Sequence, residues 1–199
     1  MIKNIVFDLG AVVVDWDPGR LVREYTNREV NPQELFKNGF FDKYWPEFDR
    51  GTYSEEEIIE KMSQHSGYSI EGCTEAVTHI KHSLVDIPRT VRLIEVLKKK
   101  GYRLFCLTNM SYEFYDYLKV RDVFANFEGQ VVSAHESLIK PEAAIYQVLL
   151  SRYNLVPEET LFIDDLKANI DAAERQGIQT VWFADKEKGY LEIDQKLGL

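Results

Sequence analysis

Apolar residues along this chain gather into short unbroken runs: Ile5-Val6-Phe7, Leu104-Phe105-Cys106-Leu107, Val131-Val132, Leu161-Phe162-Ile163 and Thr180-Val181-Trp182-Phe183. Runs that are continuous rather than alternating predict strands buried on both faces, as in a parallel sheet covered by helices. Helical spacing fills the intervals, from about Thr90 to Lys100, Ala143 to Tyr153 and Asn169 to Gln176. Each interval ends on a residue that tolerates a left-handed stop, namely Gly101, Asn154 and Gly177. Strands alternating with helices of this length predict a doubly wound α/β fold.

One region breaks the rhythm. Between Val14 and Pro88 no comparable strand run appears, and the apolar residues follow helical spacing. Leu21, Val22 and Tyr25 form one face, Leu35 and Phe36 a second, and Ile58, Ile59 and Met62 a third. The third comes after Ser54-Glu55-Glu56-Glu57, the pattern of a capping box. Residues 16–87 are therefore expected to form a small inserted helical cap domain, with 1–15 and 88–199 making the α/β core. An insertion directly after the first strand hangs over the carboxyl edge of the sheet, where open α/β folds bind ligands. Its aromatic residues Trp16, Phe40, Phe41, Tyr44, Trp45 and Phe48 are read as packing, and His65, His79 and His82 as surface or satisfied histidines. Arg50, ahead of Gly51, is the one residue of the insertion marked as a substrate contact.

Composition narrows the partners. The 199 residues are 45% hydrophobic and 29% charged, enough for one globular core with a small satellite. A net charge of -9 argues against nucleic acid and anionic membrane surfaces, which need clustered Lys and Arg. The basic run Lys98-Lys99-Lys100 falls in the last turn of a helix, where cations oppose the dipole favourably. No stretch approaches the ~18 apolar residues of a membrane span, and Met1-Ile2-Lys3-Asn4 leads into a strand without a signal-peptide layout. The expectation is a cytoplasmic protein. Cys73 and Cys106 match no metal or redox spacing, so no disulfide is expected.

Candidate chemistry sits where the runs end. The first run delivers Asp8 into the Leu9-Gly10-Ala11 turn, and the fourth ends in Asp164-Asp165. Three converging carboxylates cannot all ionise cheaply without a cation, and an all-oxygen set suits Mg²⁺. Turn capping by Asp8 and helix capping by Asp165 are the structural alternatives. The second run ends in Thr108-Asn109, a hydroxyl and an amide able to donate to phosphate oxygens or, equally, to cap a helix. Lys140 precedes Pro141 and a helical stretch, which places a cation at a helix N-terminus unless an anion shares the site. A surface lysine pointing away is the alternative.

In order and context, Asp8, Thr108, Lys140-Pro141-Glu142 and Asp164-Asp165 resemble the four motifs of the haloacid dehalogenase-like hydrolase superfamily. The segment Phe7-Asp8-Leu9-Gly10 is similar to a subgroup that includes sugar-1-phosphate phosphatases and the phosphatase domain of some epoxide hydrolases. The resemblance implies a Rossmann-like core and a Mg²⁺-dependent phosphatase acting on a small phosphorylated metabolite, a sugar phosphate being one class. It implies that Asp8 is the nucleophile and Lys140 a catalytic partner that offsets its charge, that Thr108, Asn109 and Lys140 bind phosphate, and that Asp8, the Gly10 carbonyl, Asp164 and Asp165 hold the metal. Asn169 stands where relatives often carry a further acid. Gly10 departs from the pattern, because most phosphatases of the superfamily have there a second Asp that protonates the leaving oxygen. Leaving groups that need little protonation, such as an anomeric sugar oxygen or an acyl phosphate, are therefore expected to be favoured over simple alkyl esters. Asp15, Asp17 and His135 are the candidate substitute acids, though nothing in the sequence brings them to the leaving oxygen. A metal-free dehalogenase and a catalytically idle binding protein are the competing expectations.

Overall fold

The computed structural model describes residues 1–17, 20, 24, 25 and 29–199. Its centre is a five-stranded parallel sheet in the order β3-β2-β1-β4-β5. The strands are β1 (Asn4–Phe7), β2 (Arg103–Thr108), β3 (Gly129–Val132), β4 (Thr160–Asp164) and β5 (Gln179–Trp182). All five coincide with the apolar runs. Val6 lies opposite Phe105 on one side and Phe162 on the other, so β1 is the central strand.

Side chains of a strand alternate between faces, and both faces here are apolar. Ile5, Phe7, Leu104, Cys106, Leu161 and Ile163 point into one core. Val6, Phe105, Leu107 and Phe162 point into a second, closed by Ile145, Tyr146 and Leu149. Continuous hydrophobicity in the sequence thus reflects two cores separated by one sheet.

Between β1 and β2 lie α1 (Pro32–Lys37), α2 (Phe40–Asp49), α3 (Glu55–Ser66), α4 (Ile70–Ser83) and α5 (Pro88–Lys99). The capping box forms as read: the Glu57 amide donates to Ser54 Oγ at 3.2 Å and the Ser54 amide to Glu57 Oε2 at 2.8 Å. Ile58, Ile59 and Met62 are buried, as are Leu35 and Tyr25, while Leu21 and Val22 lie outside the described residues. The excursion leaves and returns at one place. The Asp15 amide donates to Val85 O at 2.7 Å and the Ile87 amide to Val13 O at 2.8 Å, so the two connecting segments are laced together.

The remaining helices are α6 (Tyr112–Leu118), α7 (Ser133–Glu136), α8 (Ala143–Arg152), α9 (Lys167–Arg175) and α10 (Lys186–Leu197). Helices α5, α8 and α9 stop where expected, with Gly101 at φ 87°, Asn154 at φ 52° and Gly177 at φ 81°. Among the described residues no helix is long and apolar enough to cross a membrane. Cys73 and Cys106 are both buried and free.

One expectation is corrected. Lys140 does not sit in the first turn of a helix, because α8 begins at Ala143 with Glu142 as its N-cap residue. The Lys140–Pro141 peptide is cis and belongs to the preceding turn. Proline at a first helical position and proline in a turn leave similar sequence signatures, and here the Glu142 side chain is held by Arg50 rather than capping its own helix.

Candidate active site

Three parallel strands end side by side, and each runs out into polar residues. Asp8 emerges one residue beyond Phe7, its amide held to Ile163 O at 3.0 Å. Asp164 closes β4 and Thr108 closes β2. The β1–β4 register therefore brings Asp8 and Asp164 to the same edge. One oxygen from each of Asp8, Asp164 and Asp165 lies within 4.8 Å of the others.

Lys140 enters this group from the β3–α8 segment. Its ammonium stands 2.9 Å from Asp8 Oδ1 and 2.7 Å from Asp164 Oδ2, with 1% of its side chain exposed. The anion that a lysine here required is thus two carboxylates. Burial opposes the charge of Lys140, but Asp164 and Asp8 outweigh it and raise the group above the ordinary lysine range. Asn109 positions that lysine: its Nδ2 donates to Lys140 O at 2.9 Å and its Oδ1 accepts from the Lys140 amide at 2.7 Å. Asn169 donates to both oxygens of Asp164 at 3.0 Å, and the Leu166 amide donates to Oδ1 at 2.8 Å. An amide at position 169 suits an already crowded acidic group, since it donates where a further carboxylate would repel.

The charges do not balance. Burial, then Asp164 and Asp165, push Asp8 up to about 7 against the pull of Lys140. Burial and Asp164 push Asp165 up to about 6. Three carboxylates facing one ammonium make an all-oxygen donor set short of positive charge, which fits a small divalent cation. Thr108 adds a second sign of an incomplete site, because its hydroxyl is buried without a hydrogen-bond partner. Asp8, Gly10, Asn109, Lys140 and Asp165 line a cavity of about 210 Å³; Thr108 and Asp164 are not among its lining residues.

The opposite wall comes from the excursion between β1 and α5, and it is largely apolar. Trp16, Trp45 and Leu84 from the excursion line the cavity together with Met110, Phe114 and Leu166 from the α/β core. The aromatic cluster therefore divides. Phe40 and Phe48 are fully buried packing, while Trp45 meets Phe48 and Phe114 edge-on and also faces the cavity. His65, His79 and His82 each lie against an aromatic ring away from it.

Asp49, the last residue of α2, was not foreseen. It lines the cavity beside Asp8, and burial, then the Asp8 carboxylate, push its carboxyl up to about 8 against the pull of Lys140 and the Ser111 amide. Nothing in the Phe48-Asp49-Arg50-Gly51 segment marks it, since the spacing relates it to none of the strand-end motifs. Its neighbour Arg50 is a correction. The guanidinium grips Glu142 with two bonds of 2.6 and 3.2 Å and also donates to Ser137 O, so it ties α2 to the β3–α8 segment rather than reaching substrate. None of the proposed substitute acids lines the cavity: Asp15 pairs with Arg20, Asp17 accepts from the Arg20 amide, and His135 packs against Tyr112 and Tyr115.

The family model for the haloacid dehalogenase-like hydrolases matches residues 5–183, from the strand before Asp8 to the residue after β5. The chain belongs to that family. It is 23% identical to sesquiterpene phosphatase astK of Aspergillus oryzae over 197 residues, covering 98% of this chain and 97% of that protein. It is 25% identical over 196 residues to the D-ribitol-5-phosphate phosphatase of Bacteroides thetaiotaomicron, covering 90% and 91%. A solved structure of a family enzyme from Bacteroides thetaiotaomicron, in complex with magnesium and inorganic phosphate, superposes with a TM-score of 0.75 at 23% identity, covering 90% and 93% of the two chains. Five parallel strands flanked by helices are thus the family's α/β fold.

Proposed function

We propose that this hydrolase is a Mg²⁺-dependent phosphatase that cleaves a small phosphorylated metabolite through an aspartyl-phosphate on Asp8, with residues 16–87 acting as a helical cap over the site. The observation that carries the reading is the Asp8–Lys140–Asp164 cluster, with Asp165 beside it, at the floor of a cavity. The phosphatase names of two relatives that match nearly end to end, and the magnesium and phosphate bound by a structural neighbour, point the same way.

In this reading Asp8, Asp164, Asp165 and the Gly10 carbonyl hold the ion, which when bound neutralises phosphoryl charge and keeps Asp8 ionised. Lys140 and the Thr108 hydroxyl hold phosphoryl oxygens, and the Thr108 hydroxyl thereby gains the partner it lacks. Asn109 contributes by fixing the Lys140 main chain. Asp8 attacks phosphorus, expels the alcohol and is itself released by water, so one difficult displacement becomes two. A dehalogenase has no use for three carboxylates at its nucleophile, whereas a phosphatase with a cation does.

The cavity wall bears on the substrate. Six apolar side chains face the space that the leaving group would fill, and such a wall leaves the hydroxyls of a sugar largely unpaired. The substrate class best matched is a phosphate ester with a hydrocarbon-rich alcohol rather than a sugar phosphate. Phosphate release from p-nitrophenyl phosphate, alkyl phosphates and sugar phosphates, with Mg²⁺ and with EDTA, tests both parts. Wild type is expected to turn over with Mg²⁺ only, Asp8→Asn to lose at least ~10³ in rate as a missing nucleophile does, and alkyl esters to outrun sugar esters. A rate unaffected by EDTA, or retained by Asp8→Asn, refutes the mechanism.

A further inference from the structure

Gly10 leaves the reaction without the acid that usually stands two residues after the nucleophile, and the described residues supply a carboxyl in the same cavity from the other side. We infer that Asp49 is the general acid–base of this enzyme: it protonates the leaving oxygen as Asp8 attacks and then takes a proton from the water that releases phosphate. The inference rests on the phosphatase reading above.

Three observations place it. Asp49 lines the cavity that holds Asp8, Lys140 and Asp165, while Asp15, Asp17 and His135 do not. Its carboxyl lies within electrostatic reach of both Asp8 and Lys140, although it comes from the C-terminal end of α2. Its main chain is pinned to the α/β core, because Ser133 Oγ donates to Asp49 O while also accepting from the Met110 amide at 2.7 Å.

The next two residues lock the same joint. Arg50 grips Glu142, and Gly51, at φ 80°, passes so close to the core that an added Cβ would stand 2.9 Å from Ala134 O. The joint thus ties the main chain around Asp49 to the α/β core. Its environment suits the task, since Trp45, Phe114 and Met110 share its cavity and an apolar wall favours the neutral, proton-bearing carboxyl.

The steps balance. An Asp8 oxygen bonds to phosphorus, the bond from phosphorus to the ester oxygen breaks, and that oxygen leaves with the electron pair and the Asp49 proton as a neutral alcohol. Water then attacks phosphorus, gives its proton to the Asp49 carboxylate and displaces Asp8 as a carboxylate. Inorganic phosphate leaves, and both residues return to their starting states.

The test compares an ester whose leaving group needs no proton with one that does. Phosphoenzyme formation is monitored by rapid quench with Mg²⁺ for wild type, Asp49→Asn and Asp49→Ala, using p-nitrophenyl phosphate and n-hexyl phosphate. Both variants are expected to be phosphorylated by the nitrophenyl ester within about threefold of the wild-type rate, and by hexyl phosphate ~10²-fold or more slowly. They should also accumulate phosphoenzyme, because its hydrolysis has lost its base. Equal losses on the two esters, or no loss on either, overturn the role of Asp49. If the wild type itself releases no phosphate from either ester, the phosphatase reading falls and takes this inference with it. A cooperative thermal transition in at least one variant shows which of the two carries the comparison.

Discussion

Thr108 keeps a hydroxyl out of water without giving it a partner, although 1% of the residue is exposed. A buried polar atom left unpaired costs roughly 1–3 kcal/mol, so the folded chain without ligand is better off without it. Thr108→Val, which keeps the shape and removes the hydroxyl, is expected to raise the stability of the ligand-free protein by ~1 kcal/mol. It should weaken competitive inhibition by inorganic phosphate at the same time. Urea unfolding without phosphate and inhibition constants with Mg²⁺ check the two signs, and a destabilised variant with unchanged inhibition would mean that Thr108 merely packs. Opposite signs for stability and binding separate a side chain kept for its ligand from one kept for the fold.

At the scale of elements, the junction of α2 with the β3–α8 segment sets where one cavity wall stands relative to the other. Arg50 and Glu142, 92 positions apart, form a two-bond clasp in which the guanidinium and carboxylate are about a quarter and two-fifths exposed. Such a half-exposed pair contributes only about 0.5–1 kcal/mol, so Arg50→Ala should lower stability by no more than that. Its effect on catalysis is expected to be larger, because it frees the residue next to Asp49. Phosphoenzyme formation from hexyl phosphate should slow about tenfold while that from the nitrophenyl ester is nearly unaffected, since general acid catalysis is worth ~10²–10⁴ and a misplaced acid loses part of it. Rapid-quench rates of phosphorylation by the two esters decide it.

The same junction marks how far the sequence could be read. Strands β1 to β5 were legible because burial on both faces leaves unbroken apolar runs, and the stops at Gly101, Asn154 and Gly177 because left-handed backbone restricts the residue. Asp8, Asp164 and Asp165 were legible for a related reason: parallel strands that begin in register also end in register, so residues at or just past their ends must meet. Asp49 and the true partner of Arg50 were not. Their positions depend on how an inserted helix leans on a distant loop, and no local period records that contact. The Lys140-Pro141 pattern points to a helix that Lys140 does not join, yet the need of Lys140 for an anion holds, because the charge argument does not depend on the exact helix boundary.

For the whole molecule, three carboxyls have been moved the same way, and stability must vary with pH accordingly. Asp8 is raised from 3.8 to about 7, Asp49 to about 8 and Asp165 to about 6, with burial the largest cause in each case. Each group holds its proton in the folded protein over a range where the unfolded chain has released it. The unfolded state then binds fewer protons, so stability declines as pH rises from about 4 to about 8. Lys140 does not offset this, since a lysine raised above its ordinary value contributes fully throughout that range. In EDTA the thermal midpoint is therefore expected to fall between pH 5 and pH 8, counter to the usual acid destabilisation of proteins whose carboxylates are favourably paired. Mg²⁺ binds the ionised carboxylates, so its stabilising effect should grow over the same interval and flatten the profile. Asp8→Asn removes one of the three groups and should reduce both the slope in EDTA and the response to Mg²⁺. A midpoint that rises with pH in EDTA would show that these carboxyls are ionised and already compensated by Lys140 in the folded chain, and that the acidic group does not await a cation.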